Sequence, residues 1–130
     1  MTAVERNTRC VVGWAVMWQQ SKDAFQAVVD QVPHGVQYFS DQNQIYPNLV
    51  YYPGKLTISE GKADTFSVEG VNAEFRHYLA RLARRSRCFS RCPLALECAI
   101  KLFVYCYNCR QLYKHKFPNY SSHMIDFVSI

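Results

Sequence analysis

The amino-acid sequence predicts an α/β domain. Its 130 residues are enough for a single domain, and a hydrophobic fraction of 49% with 15% aromatic residues is enough for a core. Short apolar runs of the strand type alternate with segments in which apolar residues recur at helical spacing. This alternation is typical of helices that pack against a sheet.

The first elements are two strands and a helix. A leading strand at residues 2–4 is joined by a turn to the apolar run at residues 10–18, which predicts a buried strand. Gly13 in that run marks a place where a neighbour comes close. Ser21 is the predicted N-cap of a helix of about three turns, which Pro33 ends.

The remaining elements are two further strands and two long helices. Strands are predicted at residues 36–41 and, more weakly, at 55–59, with a short helix or irregular loop at 42–52 between them. Helices are predicted at residues 69–91 and 94–115, separated by a proline.

The helix predicted at residues 69–91 has two different faces at about 100° per residue. Its apolar face consists of Val71, Phe75, Tyr78, Leu79 and Leu82. Its opposite stripe consists of Glu69, Asn72, Arg76, Ala80, Ala83 and Arg87. A carboxylate followed by guanidinium groups and small residues favours a metal site beside a polyanion, and phosphodiester chemistry is the obvious candidate.

The charge of the chain indicates a nucleic-acid partner. The net charge is +5 and the pI is about 8.9, and six arginines lie between Arg76 and Arg91. Such a cluster fits DNA, although a solvated helix face in a mildly basic protein would show the same pattern. His77 could contact a backbone phosphate, or be an ordinary surface histidine.

The sequence predicts a cytoplasmic protein without a membrane partner. No signal peptide is recognisable, because charged residues at the N-terminus precede only a short apolar run. The most apolar later segment contains Glu97 and Lys101 and is too short to cross a bilayer. The six cysteines are therefore expected to be thiols.

Two acids are the candidate metal ligands. Asp41 follows a predicted strand, where ligands of α/β domains bind, and Glu69 begins a predicted helix. Two-metal phosphoryl transfer needs carboxylates from separate elements, because each ion takes several oxygen ligands. The alternative for Asp41 is a turn-forming or capping residue.

The cysteines permit a different interpretation, a zinc-stabilised interaction module. Two pairs have thiolate-site spacing, with two further ligands available nearby. The pairs are Cys88 with Cys92 and Cys106 with Cys109, and the further ligands are Cys98 and His115. The last pair lies in an apolar helical pattern, in which cysteine behaves as a small hydrophobe.

The segment 65–90 resembles the C-terminal signature of bacterial insertion-sequence transposases of the InsB type. The resemblance rests on Glu69, Asn72 and Arg76 at their spacing, followed by HYLARLARRS and then CFS. Upstream, VVGWAV and the strand that ends in Ser40 and Asp41 look like the matching earlier strands. The resemblance covers nearly the whole chain.

The resemblance implies an RNase H-like fold in which three acids bind Mg²⁺ or Mn²⁺. It makes Asp41 the second acid and Glu69 the third, both catalytic and both metal ligands. The implied reaction is hydrolysis at the transposon end, followed by attack of the freed 3′-hydroxyl on target DNA. Arg76 is the implied contact to the transposon-end backbone, and the other predicted DNA-binding residues are Asn72, His77, Arg84 and Arg87.

The sequence departs from this family at the first acid, which the family carries on its opening strand. Glu5 lies beside a turn and Asp23 begins a helix, so neither occupies that position. The expectation is therefore a truncated transposase with little or no activity, its catalytic core at residues 1–92 and a C-terminal helix and tail at 93–130. A sheet without its opening strand favours a homodimer or a complementing polypeptide. The alternatives are a non-catalytic DNA-binding remnant and the zinc module.

Overall fold

A computed structural model describes residues 1–17, 19–61, 63–79, 92–121 and 123–127. These residues form three helices and two separate two-stranded sheets, so the predicted mixed α/β class is confirmed. The elements in chain order are β1 (Thr2–Val4), β2 (Val11–Trp14), α1 (Lys22–Gln31), β3 (Gln37–Ser40), β4 (Lys55–Ile58), α2 (Phe66–Tyr78) and α3 (Pro93–Lys116).

The first sheet is an antiparallel pair covered by α1. Thr2 lies opposite Trp14 and Ala3 opposite Gly13, and the register shifts before Val4. A Cβ on Gly13 would lie 2.5 Å from Cγ2 of Val32, so only glycine lets α1 approach β2 this closely. The prediction that a neighbour comes close at this glycine is confirmed.

Helix α1 forms where the local signals place it. The hydroxyl of Ser21 accepts a hydrogen bond from the Ala24 N–H at 3.2 Å, which satisfies one of the N–H groups that a helix start leaves open. Phe25 and Val28 are buried on its inner face. The helix ends at Gln31, two residues before Pro33, as the sequence predicts.

The second sheet is a parallel pair. Gln37 to Ser40 lie opposite Lys55 to Ile58 in register, and a 3-10 turn at Tyr46–Asn48 lies in the connection between them. Both strands and the short helical segment agree with the prediction for residues 36–59. Among the described residues the two sheets are not joined by a strand pairing, and the predicted leading strand is present as β1, paired with β2.

Helix α2 differs from the single long helix predicted at residues 69–91. It begins three residues earlier, at Phe66, and ends at Tyr78 because the backbone of Leu79 is extended. Tyr78 and Leu79 both pack against the hydrophobic core, so tertiary packing rather than helical period sets this end. Residues 80–91 lie outside the described residues.

The core lies between α2, α3 and β2. Helix α3 covers the stretch predicted to be helical at residues 94–115, and its buried residues include Leu96, Ile100, Phe103 and Tyr107. Val71 and Phe75 of α2 face them, together with Val11 and Met124. An ion pair between Arg110 and Glu74, at 3.3 Å, also links the two helices.

Asn108 fastens α3 to the start of β2. Its side-chain oxygen accepts a hydrogen bond from the Val11 N–H at 2.8 Å, and its amide nitrogen donates to the Val11 carbonyl at 2.8 Å. One side chain therefore satisfies both backbone groups of a buried strand residue. None of the helices in the described part of the chain is long and apolar enough to span a bilayer.

Candidate functional site

A cleft of about 630 Å³ lies between the two sheets, α1 and the start of α2. Residues from β1, β2, α1, β3, β4 and α2 contribute to its walls. Four carboxylates belong to its lining: Glu5, Asp41, Asp64 and Glu69. The candidate ligands predicted from the sequence, Asp41 and Glu69, therefore lie on the same cleft although 28 positions separate them along the chain.

Asp41 stands directly after β3, at the carboxyl end of a strand. Its side chain is exposed, and Oδ1 accepts a hydrogen bond from the Asn43 N–H at 3.1 Å. This is the turn role that was the alternative reading of Asp41, and it coexists with the position on the cleft. Burial raises the pKa of the Tyr46 hydroxyl, and the charge of Asp41 raises it further.

Glu69 lies in the first turn of α2 and is exposed. Its backbone N–H donates to the Thr65 carbonyl at 3.1 Å, so the helix begins before Glu69. The prediction that Glu69 begins the helix is therefore wrong by three residues. A carboxylate in the first helical turn is favoured by the positive end of the helix dipole. The extra turn in front of Glu69 brings Thr65, Phe66 and Ser67 into the cleft wall as well.

Glu5 is one of two cleft carboxylates, with Asp64, that the sequence pattern does not single out. It follows β1 as Asp41 follows β3. Its carboxylate accepts hydrogen bonds from the Asn7 N–H at 2.9 Å, the Thr8 N–H at 2.7 Å and the Thr8 hydroxyl at 2.6 Å. The turn beside Glu5 is thus real, but the residue also lines the cleft. The available signal was an acid placed directly after a short strand.

These hydrogen bonds change the acidity of Glu5. The bond from the Thr8 hydroxyl lowers the pKa of the Glu5 carboxyl most, the backbone N–H groups lower it further, and the charge of His115 adds to the effect. Hydrogen bonds to the charged form of a carboxyl favour that form. Because the pKa is lowered in the folded state, Glu5 stabilises the fold above its ordinary pKa and ceases to do so as the pH falls.

We expect Thr8→Val to raise the pKa of Glu5 back toward its ordinary value, because the substitution removes the hydroxyl donor and keeps the size of the side chain. The acid limb of the pH–stability curve should then become shallower. Carboxyl ¹³C shifts followed by NMR through the acid range measure the change. Thr57→Val, which removes a hydroxyl from β4, is the matched control and should leave the Glu5 titration where it was.

The fourth carboxylate, Asp64, forms an ion pair with Arg6, which also lines the cleft. Its Oδ1 lies 3.1 Å from Nη2 of Arg6, and the Arg6 guanidinium lies over the ring of Phe39 at 4.6 Å. Arg6 therefore connects the end of β1 with the approach to α2 and with β3.

The predicted DNA-binding residues on α2 have different surroundings. Asn72 is half-buried and lines the cleft, and its Oδ1 accepts a hydrogen bond from the Thr2 hydroxyl at 2.9 Å, which holds α2 on β1. Arg76 and His77 are exposed, and the His77 ring meets the Tyr78 ring edge-on at 4.8 Å. Arg84 and Arg87 lie outside the described residues.

The donor type at the cleft suits Mg²⁺, which binds carboxylate oxygens. Over residues 1–79 and 92–127, less the masked positions, no three His, Cys, Asp or Glu side chains are gathered closely enough to hold a metal ion. The carboxylates therefore line the cleft without surrounding one point. Binding of an ion would have to draw them together.

The cysteines of the zinc alternative are dispersed in the described part of α3. Cys106 is buried, its Sγ lies 3.8 Å from the Phe127 carbonyl oxygen, and burial raises the pKa of its thiol. Cys98 is exposed, and Cys92 occupies the N-cap position of the helix. Cys88 lies outside the described residues.

No family model, no curated protein and no solved structure matches this chain. The transposase family, the RNase H-like fold, the DNA partner, the dimer, the Mg²⁺ or Mn²⁺ cofactor and the cytoplasmic location therefore stay predictions.

Proposed function

We propose that the chain is an insertion-sequence transposase of the InsB type, with an RNase H-like core that cleaves and transfers DNA strands. The observation that carries the proposal is the shared cleft. Asp41, from the end of a strand, and Glu69, from the first turn of a helix, line it together. Carboxylates from separate elements are what metal-dependent phosphoryl transfer requires.

Asp41 and Glu69 would hold Mg²⁺ or Mn²⁺. The bound ion supplies charge neutralisation at the scissile phosphate and activation of the attacking oxygen. The residues of the chain position these ligands and the DNA. The hydrogen bond from Thr2 to Asn72 fixes α2 against β1, and Glu69 lies one turn before Asn72 on the same face. Arg76, one turn further on, is exposed and would contact the DNA backbone.

Glu5 bears on how much activity to expect. The sequence predicts little or none, because no Asp stands on the opening strand. Glu5 nevertheless follows β1 and belongs to the same cleft as the other two acids. A third carboxylate would complete the oxygen ligands that two ions need. We therefore propose that the chain has metal-dependent activity, with Glu5 as the third carboxylate of the cleft.

The test is nicking of supercoiled plasmid DNA by the purified chain in Mg²⁺ or Mn²⁺. Asp41→Asn and Glu69→Gln are each expected to abolish metal-dependent nicking, because each removes a charged oxygen ligand. Asp23→Asn, in the first turn of α1, and Glu60→Gln, which does not line the cleft, are the matched controls and should nick like the unaltered chain.

Two outcomes would count against the proposal. Absence of nicking by the unaltered, folded chain in both metals would overturn it. Salt-sensitive DNA binding without nicking, unchanged in Glu69→Gln, would favour the non-catalytic DNA-binding alternative instead.

A further inference from the structure

The C-terminal end of α3 is basic, aromatic and exposed. From Cys98 to Ile125 the sequence contains four Lys or Arg residues and no Asp or Glu. One of the four, Arg110, is paired with Glu74. The cations and rings concentrated at the end of the helix are called the basic–aromatic end: Tyr113, Lys114, His115, Lys116, Phe117 and Tyr120.

The rings of this region pack against one another around Tyr113. The Tyr113 ring lies 4.9 Å from the rings of both Phe117 and Tyr120, and the Phe127 ring lies 5.8 Å behind it. Phe117 and Tyr120 are each 45% exposed and Tyr113 is 37% exposed. The cluster therefore presents rings to solvent in a fixed arrangement, which is the starting requirement for a stacking platform.

The helix dipole accounts for the cations at the end of α3 but not for the exposed rings. Lys and His in the last turn are stabilised by the negative end of the helix dipole. That effect gives no reason for three neighbouring aromatic side chains to stay exposed. The Lys116 ammonium also lies 5.4 Å from the centre of the Phe117 ring, so a positive charge stands directly beside a ring. A nucleotide offers the complement of both, a base for the ring and a phosphate for the cation.

The basic–aromatic end lies on the helix that contacts the chain just after the Glu5 turn. Asn108 of α3 forms two hydrogen bonds with Val11, which follows the turn that begins at Glu5, and His115 lies two turns further along the same helix. Glu5 in turn lines the cleft with Asp41 and Glu69. A strand lying on the rings would therefore lie at one end of the helix that also contacts the Glu5 turn.

We propose that the basic–aromatic end binds single-stranded DNA, with bases stacked on Phe117 and Tyr120 and phosphates beside Lys114 and Lys116. The inference rests on the proposed function for its purpose, which is to hold a cleaved or unpaired strand during the reaction. Its test is independent of the proposed function, because binding of single-stranded DNA to these residues needs no metal ion.

The probe is a fluorescein-labelled dT20 oligonucleotide, titrated with the full chain in EDTA and followed by anisotropy. Phe117→Leu and Tyr120→Leu keep apolar bulk and remove the aromatic face. Each is expected to weaken dT20 binding by roughly 5- to 150-fold, the range for loss of one base stack. Phe117→Trp and Tyr120→Phe keep an aromatic ring at each position and should bind dT20 like the unaltered chain. Tyr105→Leu, an exposed ring on α3 three turns away, is the matched control and should have no effect.

The charges are tested through salt dependence. Lys114→Ala and Lys116→Ala should each flatten the slope of log affinity against log salt by about 0.7, the value for one phosphate contact on a single strand. Lys101→Ala, earlier on the same helix, should leave the slope unchanged. Three results would overturn the inference: no dT20 binding by the folded chain, equal loss in Phe117→Leu and Phe117→Trp, or ring variants that bind dT20 like the unaltered chain. Loss of nicking alone would leave it standing.

Discussion

Phe103→Ala is expected to lower the free energy of unfolding by about 3–5 kcal/mol, the usual cost of deleting a buried aromatic side chain. Phe103 is 4% exposed and lies where α2 and α3 meet. Its ring is 4.6 Å from that of Phe75, 5.9 Å from that of Tyr107 and 6.1 Å from that of Tyr78. One substitution therefore removes the common partner of three rings.

This loss is large because the total free energy of unfolding of a native protein is only about 5–15 kcal/mol. Urea denaturation followed by circular dichroism measures the change. Leu102→Ala is the matched control on the adjacent residue, since Leu102 is 60% exposed and its loss should change stability by no more than about 0.5 kcal/mol. Similar costs for the two variants would mean that the core does not lie between α2 and α3.

The elements that could be predicted from the sequence are those with local signals at their ends. Ser21 and Pro33 bracket α1, and Pro93 begins α3, so both helices appear where these residues place them. The strands could be predicted because their apolar runs are short and bounded by turns. In each case the deciding interactions lie within a few residues of one another.

The features that could not be predicted depend on contacts between distant residues. The helical period continues past Tyr78, but α2 ends there, the backbone of Leu79 is extended, and both side chains pack against the hydrophobic core. The pairing of the four strands into two sheets is likewise a property of long-range contacts. Asp41 and Glu69 could be singled out by their places on elements, whereas the membership of Glu5 in the cleft appears only when β1 is set beside α2.

The position of Glu5 leads to the second large effect. Glu5→Gln is expected to lower metal-dependent nicking by at least about 100-fold, because even residues that merely support metal ligands cost roughly 10- to 100-fold when mutated. The substitution keeps the size of the side chain and removes its charge. Plasmid nicking in Mg²⁺, with the rate taken over a range of metal concentrations, measures the loss.

This substitution also disturbs the turn, so a second variant is needed to separate charge from structure. The carboxylate accepts bonds from two N–H groups and one hydroxyl at its two oxygens, and an amide can accept at only one of these. Thr8→Val weakens the same turn and leaves the carboxylate in place, so it should retain nicking. If Thr8→Val loses as much activity as Glu5→Gln, the turn and not the charge is what the cleft needs. If Glu5→Gln nicks normally, Asp41 and Glu69 act without a third acid.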